Sequence, residues 1–496
     1  MSKLIERLKT FYSDRSERNL YKSEGAVPFP KALVLGFEHV LVMLLANITP
    51  VIVVFWHFND AELTKNAIQA GLLIAGISTI LEMFPLGKLG SGLPIVAGVS
   101  FSFMGSLALV ASNFDYGTMM GSLLIGGFFL TLIGFLGKYL RKIIKPIVRG
   151  IVVLSVGLGL IEEGIRQFFS ITTVTSISSG GLYSFSLAWP YLIIALVSLL
   201  SGLIYMTFVR GVWKNISVTI GLLAGYLTSI VLNLLLPEAG ILDFSAFRFS
   251  VFTDFINVPQ PMAFGALKFD LQAIIFVCLI YLVASIEGLG DIIEISQKEG
   301  LSDDKMDAEV VGGLVTDGIF SVASVCFGSL PLTTSSQNVA YIKRTGIINK
   351  FTILIGAIML VILGFLPPVS ALLESIPEAV LGGTMMVCYL SILMIGFQML
   401  VKAGFNLKNT TIICISIGLG YGITLLGEEF FNTTTFPGET DFFIIFLKNP
   451  EAMMFLTSFI LSYIIPDSFS RKEGLDIPEQ KGSEDQKVQG SDEKND

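Results

Sequence analysis

The sequence predicts an all-α polytopic membrane protein with about 14 transmembrane segments in a 7+7 inverted repeat. Three observations carry this. Apolar runs of spanning length recur along the chain, and of 496 residues 53% are hydrophobic and only 15% charged. Soluble domains carry about 25% charged residues. Lys and Arg gather in alternate connections, and Pro/Gly-marked blocks of the first half return in the second at a nearly constant offset. An odd number of segments per half turns the two halves opposite ways across the membrane.

Residues 1–30 carry Lys3, Arg7, Lys9, Arg15, Arg18 and Lys22, with Leu4, Ile5, Leu8 and Phe11 available for one apolar face. A short helix on the cytoplasmic membrane surface is expected there. The first repeat, 31–237, holds apolar runs at 33–55, 67–84, 93–111, 118–137, 143–162, 187–208 and 216–236. Residues 238–268 are more polar and form an extracellular connection. The second repeat, 269–467, holds runs at 271–288, 310–327, 331–345, 348–366, 377–400, 408–426 and 451–466. The stretch 468–496 is charged and nearly without apolar residues, so a disordered tail is expected.

The basic residues set the orientation. Lys88, then Lys138, Arg141, Lys142 and Lys145, then Arg210 and Lys214 follow segments two, four and six. Lys298 and Lys305, Lys350, and Lys402 and Lys408 follow segments eight, ten and twelve. Connections 113–117, 367–377 and 427–440 have none, while Lys65, Arg166 and Lys448 are exceptions. The bias places both termini in the cytoplasm of a cell with this protein in its plasma membrane.

The repeat is legible in two pairs of blocks. Gly92-Leu-Pro-Ile-Val-Ala-Gly-Val-Ser-Phe101 echoes Ser329-Leu-Pro-Leu-Thr-Thr-Ser-Ser-Gln-Asn338, and Lys145-Pro-Ile-Val-Arg-Gly150 echoes Ile376-Pro-Glu-Ala-Val-Leu-Gly-Gly383. Interrupted segments at matching places of inverted halves point to a transporter with its site near the midplane.

Composition also excludes functions. There is no GxSxG elbow, no phosphate-binding Gly-Lys-Ser/Thr loop and no HExxH, so the chain reads as no enzyme and ion coupling is the natural energy source. Two histidines and four cysteines inside apolar runs point to no metal site and no cofactor. Nothing points to nucleic acid as a partner.

The polar row inside segment ten is the first candidate site. Thr333, Thr334, Ser335, Ser336, Gln337 and Asn338 stand together between Pro331 and Gly346. Irregular polar backbone at membrane depth survives only inside the protein or beside a wet cavity. Gln337 and Asn338 are the residues expected to face the site, with Thr333–Ser336 satisfying the broken backbone and Lys343 and Arg344 reaching the cytoplasmic side. Segment eight carries Glu287 and Asp291 one turn apart. A carboxylate in an apolar span costs about 2.5–3.5 kcal/mol on insertion scales, which makes Glu287 a functional candidate. Asp291 and Glu294 also fit a solvated helix end, and Asp317, between glycines, fits a turn. His39 is either a packed, orienting histidine or a proton acceptor. In segment three, Ser100 and Phe101 follow the Pro94/Gly98 break, where a planar ligand could stack on Phe101; an ordinary core aromatic is the alternative.

Gln337-Asn-Val-Ala-Tyr-Ile-Lys-Arg-Thr345-Gly346 resembles the signature of the nucleobase–ascorbate transporter family, with Ala340 where that family usually has Gly. Glu38-His-Val-Leu, Leu93-Pro-Ile-Val-Ala-Gly-Val-Ser-Phe101, Glu287-Gly-Leu-Gly-Asp291, Gly313-Leu-Val-Thr-Asp-Gly318 and Ile376-Pro-Glu-Ala-Val-Leu-Gly-Gly383 resemble further family blocks in family order, and Arg149 departs from its block. The resemblance implies a core domain (segments 1–4 and 8–11), a gate domain (5–7 and 12–14) that forms a homodimer, and short strands opening broken segments 3 and 10. It implies a base bound by Glu287 and Gln337, with Phe101 nearby, Asn338, Asp317 and Asp291 in support and His39 shaping or coupling the site. Gln337 resembles the purine branch; uracil carriers tend to have Glu there. A carboxylate accepts from ring N–H groups, whereas an amide both donates and accepts, which suits the edge of an oxopurine.

The reading is therefore a proton-coupled symporter of a nucleobase, xanthine or urate, with sodium in place of protons the less favoured coupling ion. A uracil permease, an inverted-repeat anion exchanger and a non-transporting membrane scaffold are the alternatives.

Overall fold

A computed structural model describes residues 16–466 apart from 59, 172–173, 176–184, 210–216, 238–240, 243–254, 263–264 and 427–445. The apolar face at Leu4–Phe11, the tail 468–496 and most of the 238–268 connection lie outside the described residues, as does the Arg344 side chain.

The chain is mostly helical: α1 (Phe29–Phe55), α2 (Ala61–Met83), β1 (Ala97–Val99), a 3-10 turn (Phe101–Phe103), α3 (Met104–Asn113), α4 (Tyr116–Phe135), α5 (Gly137–Ile143), α6 (Pro146–Phe168), α7 (Phe185–Phe208) and α8 (Ser217–Leu235). The second half runs α9 (Leu271–Lys298), α10 (Asp303–Cys326), β2 (Leu332–Thr334), α11 (Ser336–Thr345), α12 (Lys350–Gly364), α13 (Pro367–Glu374), α14 (Glu378–Ala403), α15 (Leu407–Ser416) and α16 (Pro450–Ile464). Beyond α15 the helix passes through a π turn, Ile417–Tyr421.

Among the described residues seven helices are long and apolar enough to cross a bilayer, or up to nine if each bent pair counts once: α5 with α6 at 99°, and α12 with α13 at 85°. Phe128, Leu132, Phe208, Leu227 and Leu234 lie exposed on the outer surface. Apolar exposure on this scale suits lipid, not water.

Polar residues fix where the helices begin. Asp60, Asp115, Asp270, Asn349, Asn406 and Asn449 each accept a backbone N–H from the first turn of α2, α4, α9, α12, α15 and α16, satisfying donors that lipid cannot. Small residues let helices approach closely: a Cβ on Gly134 of α4 would stand 2.6 Å from the Val315 nitrogen of α10.

The helices pack in two groups. In one, α4 lies on α9 and α10, and α2 and α1 lie on α12. In the other, α14 lies along α6 and α7, α8 along α7, and α16 along α6. Within the first group, where both chain halves are interrupted, β1 and β2 pair antiparallel with Ala97 opposite Thr334, Gly98 opposite Thr333 and Val99 opposite Leu332, β1 against α1 and α2 and β2 against α9 and α10.

So small a sheet survives because helices flanking it satisfy its outward edges. Asn47 Oδ1 accepts from the Val99 N–H at 2.7 Å, and Thr79 Oγ1 accepts from that of Ala97 at 3.0 Å. Ser321 Oγ accepts from the Leu332 N–H at 3.1 Å and donates to its carbonyl at 2.7 Å; Ser324 serves the Leu330 carbonyl.

Candidate functional site

The paired strands aim two helix starts at one another: the turn that leads into α3, and α11. Ser100 caps the first, accepting from the Ser102 N–H; Ser335 caps the second, accepting from the Asn338 N–H. Each start carries unsatisfied N–H groups and the positive end of a helix dipole.

Alongside runs α9. Glu287, Asp291 and Glu294 are spaced by four and three residues, which puts them on one helical face, and all three are buried. The solvated end expected for Asp291 and Glu294 is therefore not found. The helix continues to Lys298, and Glu294 is paired with Lys343 at 2.6 Å and Lys402 at 3.2 Å.

Glu287 joins the two broken segments. Ser102 donates to its Oε2, and Ser336 donates to its Oε1 at 2.7 Å. The Ser336 hydroxyl also stands 2.5 Å from Asp291 Oδ2. Thr334 Oγ1 lies 3.4 Å from Asp317 Oδ2. The expectation that Thr333–Ser336 merely repair the backbone thus fails for Thr334 and Ser336, whose hydroxyls turn to carboxylates. Asp317 lies in the middle of α10 and not in a turn. Gly288 gives it room: a Cβ there would stand 3.2 Å from Asp317 Oδ2.

Gln337 and Asn338 occupy the first turn of α11. Asn338 Nδ2 donates to His39 Nδ1 at 3.0 Å, which leaves the ring proton on Nε2. The His39 ring meets Tyr341 edge-on at 4.7 Å, and the Tyr341 hydroxyl donates to Glu38 at 2.8 Å. Among the described residues Gln337 Nε2, Asn338 Oδ1 and His39 Nε2 are buried without a hydrogen-bond partner. Buried polar atoms are nearly always satisfied, so three orphans around one helix start mark a place for polar ligand groups.

Phe101 belongs to one buried cluster with Val153, Val156 and Leu160 of α6 and Met385, Tyr389 and Ile392 of α14. It therefore lies where the two helix groups meet. The methyl of Ala340 packs on the same cluster.

Ser102, Ser336 and Glu451 are the residues that sequence reasoning missed. The serines stand beside capping serines of the same type, and spacing does not separate the two roles. Glu451, in the first turn of α16, is buried with its Oε2 3.5 Å from Ser106 Oγ, which also accepts from Asn449. Its place in the last apolar run carried no signal. Among the described residues no group of three His, Cys, Asp or Glu side chains is placed to hold a metal ion.

The chain is similar to known permeases. The sequence profile of a permease family matches residues 30–429. Xanthine permease XanQ of Escherichia coli K12 is 30% identical over 468 residues, covering 92% of this chain and 96% of that one. Uric acid transporter UacT of the same strain is 27% identical over 408 residues, covering 81% and 80%. The transmembrane domain of a cyanobacterial bicarbonate transporter, BicA, superposes with a TM-score of 0.50 at 16% identity, over 80% of this chain and 94% of that one, a likeness of fold.

Proposed function

The chain belongs to the nucleobase–ascorbate transporter family of permeases, and from that premise we propose that it is a secondary active transporter carrying an oxopurine, xanthine or urate, into the cell with protons. One observation carries the proposal. Glu287 is a buried carboxylate held by two serine hydroxyls between two helix starts, and the next residue after one of those serines, Gln337, has an unpartnered amide nitrogen.

The chemistry follows from these groups. A carboxylate accepts from two adjacent ring N–H groups of an oxopurine, while the Gln337 amide donates to a carbonyl or ring nitrogen and accepts from another N–H. Phe101 offers its face to the ring. Ser100 and Ser335 cap the two helix starts that frame the base, Asn338 faces it, and His39 fixes Asn338.

Protons enter through the same carboxylates. A hydroxyl has one hydrogen to donate, and Ser336 stands within hydrogen-bond reach of both Glu287 and Asp291. Both contacts are attractive when one of the two carboxyl groups carries a proton and donates back to the hydroxyl. Asp317 is the further candidate to receive it. A buried carboxylate is costly without a partner, so filling and emptying the site is tied to where that proton resides.

Transport is then a movement of a core, α1–α4 with α9–α12, against a gate of α6–α8 and α14–α16 that also dimerises. The fourteen-segment count, the plasma-membrane location and the cytoplasmic termini belong to the same reading. An anion exchanger would need a basic group near the two helix starts, and a carboxylate, Glu287, lies between them instead, which disfavours that alternative.

Uptake of labelled xanthine, urate and uracil by wild type and Glu287→Gln, with and without a protonophore, tests the proposal. The expected result is purine uptake that both the substitution and the protonophore abolish. Uptake unchanged in Glu287→Gln would sink the role of Glu287, and indifference to the protonophore would sink proton coupling.

A further inference from the structure

Seven residues beyond Glu287, on the same face of α9, Glu294 is almost wholly buried between two ammonium groups. One is Lys343 of α11, the helix that opens with the site residues, at 2.6 Å; the other is Lys402 in the last turn of α14, at 3.2 Å. Glu294 therefore has one oxygen on each helix group: Lys343 belongs with α9 and α11, Lys402 with α14 and α6.

The surroundings make this pair unlike a surface ion pair. The Glu294 side chain is 7% exposed, and removing one partner of a buried ion pair leaves a charge that water cannot reach. Arg149 of α6 is half-buried, and its Nε has no hydrogen-bond partner among the described residues. On its own helix Glu294 has Asp291 one turn back and Lys298 one turn ahead. Lys298 Nζ donates to the Ile342 and Lys343 carbonyls at 2.6 and 3.1 Å. So α9 holds the far end of α11 twice and reaches across to α14 once.

We infer that Glu294 is a positioning residue of the transport cycle: a bridge from α11 to α14 that keeps this end of the site closed and parts when it opens. The inference rests on the movement of the two helix groups proposed above. Any such movement that opens this end separates Lys402 from Glu294, while Lys343 travels with α9. Glu294 keeps one partner throughout, so the open form is reachable without an isolated buried charge.

The test is a cysteine reporter in purified full-length protein. Met399 of α14 is nearly buried against α9, its Cε 2.9 Å from where a Gly290 Cβ would stand. Met399→Cys is expected to react slowly with a soluble charged maleimide, measured above the background of the native cysteines. Lys402→Gln and Glu294→Gln should each speed labelling about tenfold, and the double variant should be no faster than either, since both remove one bridge. Lys402→Arg should stay slow. Lys402 is largely exposed, so its substitution reports on the bridge even where Glu294→Gln fails to fold. Unchanged labelling in Lys402→Gln, or effects of the two substitutions that multiply, overturns the inference. Labelling needs no substrate, so a protein that takes up no purine still decides the question of the bridge.

Discussion

Ser336 donates to Glu287 across 2.7 Å, from the first residue of α11, just past the break, to the middle of an unbroken helix. The same hydroxyl lies against Asp291, so it is the point where α11 and the carboxylates of α9 are tied together. Ser336→Ala removes a hydrogen bond to a charged group, a loss of about 1.5–3 kcal/mol. Purine uptake should fall roughly ten- to hundredfold, and its pH profile should shift. Ser336→Thr should keep both near wild type. An unshifted profile in Ser336→Ala would show that this hydroxyl does not hold the coupling proton.

Gln337 tests the chemistry of selection. Gln337→Glu replaces a group that donates and accepts with one that only accepts when ionised. Competition of labelled xanthine by unlabelled bases should show purine affinity falling by at least about tenfold, with uracil losing less. Equal losses for every base would point to damage to the helix start instead.

Asn47 tests why the small sheet holds. Its side chain is the described acceptor for the Val99 N–H, at 2.7 Å and buried. Asn47→Ala leaves that donor unsatisfied, at a cost of about 1–3 kcal/mol. The midpoint of thermal unfolding in detergent should drop, and uptake should drop with it, because β1 positions Ser100, Phe101 and Ser102. A wild-type midpoint would mean that another group satisfies Val99.

Asp115 supplies a pH test away from the membrane interior. Lys268 and the Thr118 hydroxyl hold its carboxyl at about 2, below the ordinary 3.8. A depressed value stabilises the fold above the ordinary pKa, and the gain is lost as pH falls from about 4 towards 2. The pair is half-exposed, so solvent screening keeps the gain below about 1 kcal/mol. Asp115→Asn retains the helix cap and removes the charge. Its unfolding midpoint should lie slightly below wild type at pH 7, and the gap should close on acidification. A gap that widens would contradict the pairing.

Much of the architecture was legible in the chain. Spanning runs and the breaks around Pro94 and Pro331 are local properties, and lipid enforces them because it satisfies no backbone group. Glu287, Gln337 and Asn338 were legible for the same reason: polar side chains at membrane depth stand out against their neighbours. Asp317 was less so, because flanking glycines suit a turn as well as close packing between helices, as Gly313 does against α9 and Gly318 against α4.

What no local pattern holds is which polar groups meet. Ser102 comes from the first half of the chain and Ser336 from the second, and both close on Glu287; His39 reaches Asn338 from the first helix; Lys402 crosses to Glu294. These pairs are set by how the two halves interlock around the strands. By itself the sequence determined a membrane-spanning chain with a polar break and a carboxylate inside an apolar run, since apolar length and polar interruption are written residue by residue. Only the tertiary structure decided that Ser336 serves two carboxylates and that Glu294 is bridged and not solvated, because such pairings depend on packing between segments far apart in the chain.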